Sequence, residues 1–168
     1  MSELKDFKGE SIKELYLLDL QWNLYRFHFS LRQLSVSIAG ENIQTGGLYG
    51  TYKFIINLLE EGRAVVLCYE RFPKEKHELY QGYKEGRHSQ NFDRWIRVLD
   101  RVAAATPGVY NAYMDDHEAD DGMSILSNYA TEDGLETVIV SGDDDLLQCI
   151  NPKVRLMRKF DVFLGEEF

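Results

Sequence analysis

Acidic side chains fall at four separated places in this chain, and each place follows a short apolar run. Asp19 closes one run and Glu70 closes another, while Asp143, Asp144 and Asp145 follow a further run through Ser141-Gly142. Asp115, Asp116, Glu118, Asp120 and Asp121 crowd the stretch after the remaining run. Singly, each place has an ordinary explanation. Acids in the first turn of a helix gain up to about 1 kcal/mol from its dipole, and Asp is common in caps and turns. Jointly they ask for more. Several carboxylates in one crevice cannot all stay ionised without compensating charge. Divalent cations supply that charge, and all-oxygen ligands select hard ions such as Mg²⁺ or Mn²⁺. The chemistry expected is metal-assisted hydrolysis. Rival chemistries lack their residues: His28, His77, His88 and His117 are too scattered for a zinc set, and no Gly-rich phosphate loop or serine nucleophile elbow is present.

The elements that must carry these acids can be read from periodicity. Residues 15–19 (LYLLD), 64–69 (AVVLCY) and 137–140 (TVIV) are continuous apolar runs of strand length, and 109–113 and 154–157 are weaker ones. Residues 46–60 repeat apolar side chains at helical spacing and stop before Gly62, while 73–83, 92–105 and 118–129 also read as helices. The stretch holding Trp22, Tyr25, Phe27 and Phe29 reads as core. Buried strands alternating with helices predict an α/β fold, a parallel central sheet with helices on both faces. In such sheets ligands bind beyond the carboxyl ends of the strands, which is where the acids stand.

Composition sets the outer limits. A chain of 168 residues with 44% apolar side chains and three prolines can bury a core in one domain, here taken as 1–168. Cys68 and Cys149 lie in apolar stretches and read as buried free thiols. No run is long enough to span a membrane, and residues 1–10 do not resemble a signal peptide, so a cytoplasmic protein with no membrane partner is expected. The net charge of −9 runs against a nucleic-acid binder, but it is unevenly spread. Residues 71–101 hold eight Lys and Arg against five acids, a net of +3 that leaves −12 for the rest.

Leu17-Leu18-Asp19 with Arg26, then Glu118-Ala119-Asp120-Asp121, then Ser141-Gly142-Asp143-Asp144-Asp145-Leu146-Leu147-Gln148, resemble in order and spacing the 5′-nuclease superfamily. That group includes flap endonucleases, phage 5′→3′ exonucleases and the 5′-nuclease domain of bacterial repair DNA polymerase. Tyr83-Lys84 with Arg87 resembles its basic motif on the gateway helix, within a basic segment at about 71–101. The resemblance implies a PIN-like core with a metal-binding cluster of Asp19, Glu70, Glu118, Asp120, Asp121, Asp143 and Asp145, holding two Mg²⁺ or Mn²⁺ ions. It implies Lys84 and Arg87 at the scissile phosphate, with Lys76, Tyr83 and Arg26 as further nucleic-acid contacts or supports. The implied activity is 5′→3′ exonuclease or flap endonuclease hydrolysis of DNA with flap, nicked or 5′ ends, leaving 5′-phosphates. A role in replication or repair, in a bacterial or phage-infected cell, follows from the same resemblance, with a monomer expected.

Three departures from the family pattern stand out. Glu70 occupies a usual Asp position, Leu20 a usual Gly, and Asp144 a usual Lys. The chain stops at Phe168, where family members continue into a helix–hairpin–helix clamp, so a core without that clamp is expected. A haloacid-dehalogenase type of phosphatase needs an Asp two residues after the first, but Gln21 stands there and Asn23 beyond it. A PIN-type ribonuclease, or a metal-binding but inactive module for nucleic acid or protein, are the alternatives that share this fold and acid pattern.

Overall fold

The computed structural model describes residues 4–6, 8–70, 92–114, 118–158 and 161–163. Its elements in chain order are β1 (Glu14–Asp19), α1 (Leu20–Ser30), β2 (Ser35–Ile38), β3 (Glu41–Gln44), α2 (Gly46–Glu60), β4 (Ala64–Glu70) and α3 (Asp93–Ala105). They continue with β5 (Val109–Met114), α4 (Ala119–Glu132), β6 (Glu136–Val140), a 3₁₀ helix (Asp144–Cys149), β7 (Val154–Arg158) and β8 (Asp161–Phe163). The main sheet has the order β5-β4-β1-β6-β7-β8, with every neighbouring pair parallel except β7 and β8.

β1 shows why this sheet needs cover on both sides. Leu15 and Leu17 point into one apolar layer, and Tyr16 and Leu18 into the other, all of them buried. The period-two alternation of a strand sends successive side chains to opposite faces, so an unbroken apolar run must be sandwiched. Leu20, Leu24, Ile55, Leu58, Ile96 and Leu99 from α1, α2 and α3 cover one face. Met123 and Ala130 from α4, with Leu146 and Cys149 of the 3₁₀ helix, cover the other.

The strand order creates a topological switch. From β1 the chain moves outward through β4 to β5, then returns to lay β6 on the opposite side of β1. β1 and β6 are therefore neighbours whose following segments depart to opposite faces, which opens a crevice at their carboxyl ends. Asp19 ends β1, and Ser141-Gly142-Asp143 follows β6. Acids on separate stretches thus become neighbours because of the winding.

One expectation is corrected here, and two elements are added to it. The aromatic stretch read as core is the helix α1, on which Trp22 does pack against the core, whereas Tyr25 and Phe29 are each 50% exposed, their tilted rings with centroids 4.6 Å apart. Leu20 and Leu24 supply the buried stripe, so the aromatics at 25 and 29 are left on the outer side. The β2–β3 hairpin had no counterpart in the sequence reading. It forms its own two-stranded sheet, turned by Ala39 and Gly40, whose φ values of 52° and 84° are both in the left-handed region that a two-residue hairpin turn requires. An edge strand, β8, is likewise added antiparallel to the parallel set.

Candidate metal centre

Asp19 is both the last residue of β1 and the N-cap of α1. Its Oδ1 accepts the Trp22 backbone N–H at 2.9 Å, closing the first turn of the helix. Its Oδ2 accepts the hydroxyl of Ser141 at 2.8 Å, across to the segment beyond β6. The same Ser141 Oγ accepts the Asp143 backbone N–H at 3.2 Å. Asp143 Oδ1 in turn accepts the Asp145 N–H at 2.9 Å, capping the 3₁₀ helix. Ser141 is fully buried, so this chain of contacts is fixed from beneath and leaves Asp143 and Asp145 exposed above.

The electrostatics of Asp19 record how its neighbours stand. Burial pushes its pKa from 3.8 to about 6, the hydrogen bonds from Trp22 and Ser141 oppose that rise, and the charges of Asp143 and Glu70 add to it. Asp19, Asp143 and Glu70 are thus close enough to feel one another's charge. Glu70 reaches this edge at the end of β4, in register with Met114 of β5.

A second group of acids faces an open cleft of about 320 Å³ between α4 and the 3₁₀ helix. Asp120 and Asp121 line one wall, with Ser124 and Asn128, and Asp145 lines the other with Gln148. Asp120 and Asp121 lie in the first turn of α4, and Asp120 Oδ1 accepts the Asp121 N–H at 2.9 Å. Glu118, the N-cap residue of α4, instead lines a smaller apolar hollow with Cys68, Tyr69 and Tyr113. Asp143 and Asp145, bonded to each other, join the Asp19 group to the cleft.

All seven acids predicted as ligands are therefore at one end of the sheet, but they do not form one tight knot. Among the described residues no three His, Cys, Asp or Glu side chains stand close enough to enclose an ion by themselves. Their chemistry nevertheless fits a hard cation. The donors are carboxylate oxygens, and the proton affinity of Asp19 is raised first by burial and then by the charges of Asp143 and Glu70, a disfavoured anion that a cation would offset. Asp144, between the two aspartates, is ion-paired with Arg158 of β7 and so turns away from that role.

Arg26 packs its guanidinium over the rings of Trp22, Phe27 and Phe54, at 4.9, 4.4 and 5.5 Å from their centroids. Burial lowers its pKa. Trp22 lies against Gly142, where a Cβ would come within 2.0 Å of the indole nitrogen. The cation is thus one ring away from the Ser141–Asp143 segment. Lys76, Tyr83, Lys84 and Arg87, and the acids Asp115 and Asp116, lie outside the described residues.

Sequence reasoning missed the uncharged residues that organise the edge. Asn23 is wholly buried on α1 and donates from Nδ2 to the carbonyls of Asp19 at 2.8 Å and Val140 at 3.3 Å. Ser141 stood only as part of a motif, without a role. The available signal was slight: an amide set between Leu20 and Leu24, just after Asp19.

Residues 14–167 match the family described as 5′-3′ exonuclease, N-terminal resolvase-like domain. The chain is 31% identical over 161 residues to a thermostable DNA polymerase I of Thermus filiformis, covering 94% of this chain and 19% of that protein. It is 27% identical over 161 residues to a 5′-3′ exonuclease of Aquifex aeolicus, covering 92% of this chain and 55% of the relative. Among solved structures, phage T5 5′-exonuclease with divalent zinc ions bound superposes with a TM-score of 0.63 at 12% identity, over 90% of this chain and 58% of that one. A bacteriophage T5 flap endonuclease in a pseudo-enzyme–product complex with DNA and metal ions also scores 0.63 at 12% identity, covering 90% and 57%. The chain spans about a fifth of the polymerase and about half of the exonuclease.

Proposed function

The chain belongs to the family of 5′-3′ exonuclease N-terminal resolvase-like domains, and from that membership we propose that it hydrolyses DNA phosphodiester bonds at 5′ ends, flaps or nicks with divalent metal ions. The observation that carries this is the junction of Asp19, Ser141 and Asp143 at the switch between β1 and β6, with Glu70 close enough to raise the proton affinity of Asp19.

In this reading Asp19, Glu70 and Asp143 would hold one cation and Asp120, Asp121 and Asp145, which line the cleft, would hold a second, while Glu118 lines the neighbouring hollow. Mg²⁺ or Mn²⁺ there would supply Lewis-acid activation of water and of the phosphate oxygens. Ser141 holds the Asp19 carboxylate in one orientation, leaving the Asp143 carboxylate directed outward. Lys84 and Arg87 offset the charge that develops on the phosphate. Arg26 braces Trp22 against Gly142 and adds positive potential beside the scissile group. Lys76 and Tyr83 extend the contact with DNA.

The test is a gel assay with labelled flap, nicked and single-stranded DNA, with and without Mg²⁺. Cleavage that requires Mg²⁺ and disappears in Asp143→Asn is the expected outcome. Undiminished cleavage by that variant would remove the proposal. A second reading is a metal-binding module without turnover, which shares the fold and the acids. It predicts a thermal shift with Mn²⁺ and no cut strand at any enzyme concentration.

A further inference from the structure

Asn23 occupies a position where hydrophobic packing would select leucine. It is 0% exposed, on the first turn of α1, and flanked in the core by Leu20 and Leu24. Its Oδ1 is buried and, among the described residues, accepts no hydrogen bond. An incompletely satisfied buried amide costs stability, so its donor side must do something that an apolar side chain could not.

The donor side is placed at the end of the β1–β6 ladder. The last registered pair of these strands is Leu18 with Val140. Beyond that pair the chains diverge, Asp19 into α1 and Ser141 into the loop that bears Asp143. Asn23 Nδ2 bonds to the carbonyl of Asp19 at 2.8 Å and to that of Val140 at 3.3 Å. It therefore adds one more rung to the ladder, built from a side chain, at the point where the strands would otherwise splay. The Asp19 and Asp143 carboxylates stand just past this rung, and their charges repel.

We propose that Asn23 is a positioning residue that ties the carboxyl ends of β1 and β6 together and so holds the mutually repelling Asp19 and Asp143 at the spacing a divalent cation needs. It touches neither cation nor substrate; it acts through the backbone of Asp19 and Val140. The Ser141 hydroxyl closes the same junction from the other side, reaching from the β6 end to Asp19 Oδ2. Asn23 sets the separation of the two strands, and Ser141 sets the rotation of the Asp19 carboxylate. The inference rests on the metal-dependent reading above for its purpose, but the rung itself is testable without any metal.

Two substitutions separate the rung from simple packing. In Asn23→Ser the hydroxyl can still bond to the Asp19 carbonyl one turn back along the helix, but it is too short to span to Val140. Asn23→Leu keeps the volume and removes both donors. In the metal-free protein, both variants are expected to speed amide hydrogen exchange at Gly142 and Asp143 about tenfold, as loss of one buried hydrogen bond does, while exchange in the centre of β4 stays as in the parent. In Mn²⁺ titrations followed by calorimetry, half-saturation should rise about tenfold by the same measure. Cleavage should recover at saturating metal, a split between metal requirement and maximal rate that a general loss of stability would not produce. Variants with a lowered melting temperature but parental exchange at residues 142 and 143 and parental Mn²⁺ affinity would overturn the proposal. A parent protein that binds no Mn²⁺ would overturn its metal-centred purpose along with the nuclease reading, and the exchange experiment would still decide whether the rung exists.

Discussion

Asp19 has two competing tasks, and its protonation exposes them. As an N-cap it stabilises α1, while as a deep carboxylate beside Asp143 and Glu70 it is held with its pKa near 6 in place of 3.8. A raised acid pKa means that the folded chain binds this proton more tightly than the unfolded chain. Stability therefore falls as pH rises from about 4 to about 6, and stays at the lower level above that. At 1.36 kcal/mol per pKa unit the ionised carboxylate costs the metal-free fold about 2–3 kcal/mol at pH 8. Asn at this position can still accept from Trp22 and bond to the Ser141 hydroxyl. Asp19→Asn should accordingly melt higher than the parent in EDTA at pH 8, and the two should converge near pH 4. Adding Mn²⁺ should invert the order at pH 8, because only the carboxylate gains from the cation. A parent that remains the more stable protein in EDTA across this range would show that the charge is not stored at Asp19. Cys68, nearby on β4, is the inert counterpart: burial and the charge of Asp19 push its thiol far up, so it offers no thiolate for chemistry.

At the scale of elements, the parts legible in the sequence are those that bury apolar surface on a regular period. β1, β4 and β6 were expected within a residue of their observed ends, and α2 over the same span, because a sheet covered on both faces leaves unbroken Leu, Val and Ile runs. Asp19, Glu70 and Asp143 could be placed at the carboxyl edge for the same reason. What periodicity could not reveal was α1, whose aromatics are spread around the helix with only Leu20, Asn23 and Leu24 buried. The hairpin was equally silent: all four β2 residues are exposed, so no apolar pattern called for it. The spacing among the acids was also out of reach, since it is set by Ser141, Asn23 and the winding order rather than by the acids themselves. Gly142 is where these unread features meet. A methyl group there would sit 2.0 Å from Trp22 Nε1, and Trp22 is itself pinned under Arg26. Gly142→Ala should cost about 1–3 kcal/mol by overpacking, and should lower the melting temperature by about 2–12 °C for a chain of this size. The Asp143 segment should shift with the indole, so the Mn²⁺ requirement for cleavage should rise as well. A melting temperature within 1 °C of the parent, measured by calorimetry, would show that Trp22 can move aside freely.

For the molecule as a whole the puzzle is how a protein of net charge −9 would approach a polyanion. The acids face one edge of the sheet and the arginines at its far end are already engaged: Arg63 and Arg155 both pair with Glu14. Two bound divalent ions would still leave the chain at about −5, so attraction must be local. Residues 71–101 carry the net of +3 that can provide it, and this segment runs from the end of β4, which bears Glu70, into α3. About three phosphates neutralised there would release their counterions, giving a slope of roughly −0.9 in log affinity per log salt for each. DNA binding measured with Ca²⁺ in place of Mg²⁺ should therefore weaken about 40-fold between 50 and 200 mM KCl. Lys84→Ala combined with Arg87→Ala should remove about two of those contacts and leave a drop of only about threefold over the same range. Such a change in slope separates phosphate contacts from a general loss of structure, which would lower affinity at every salt concentration alike. A double variant with the parental slope would place the DNA track elsewhere on the surface.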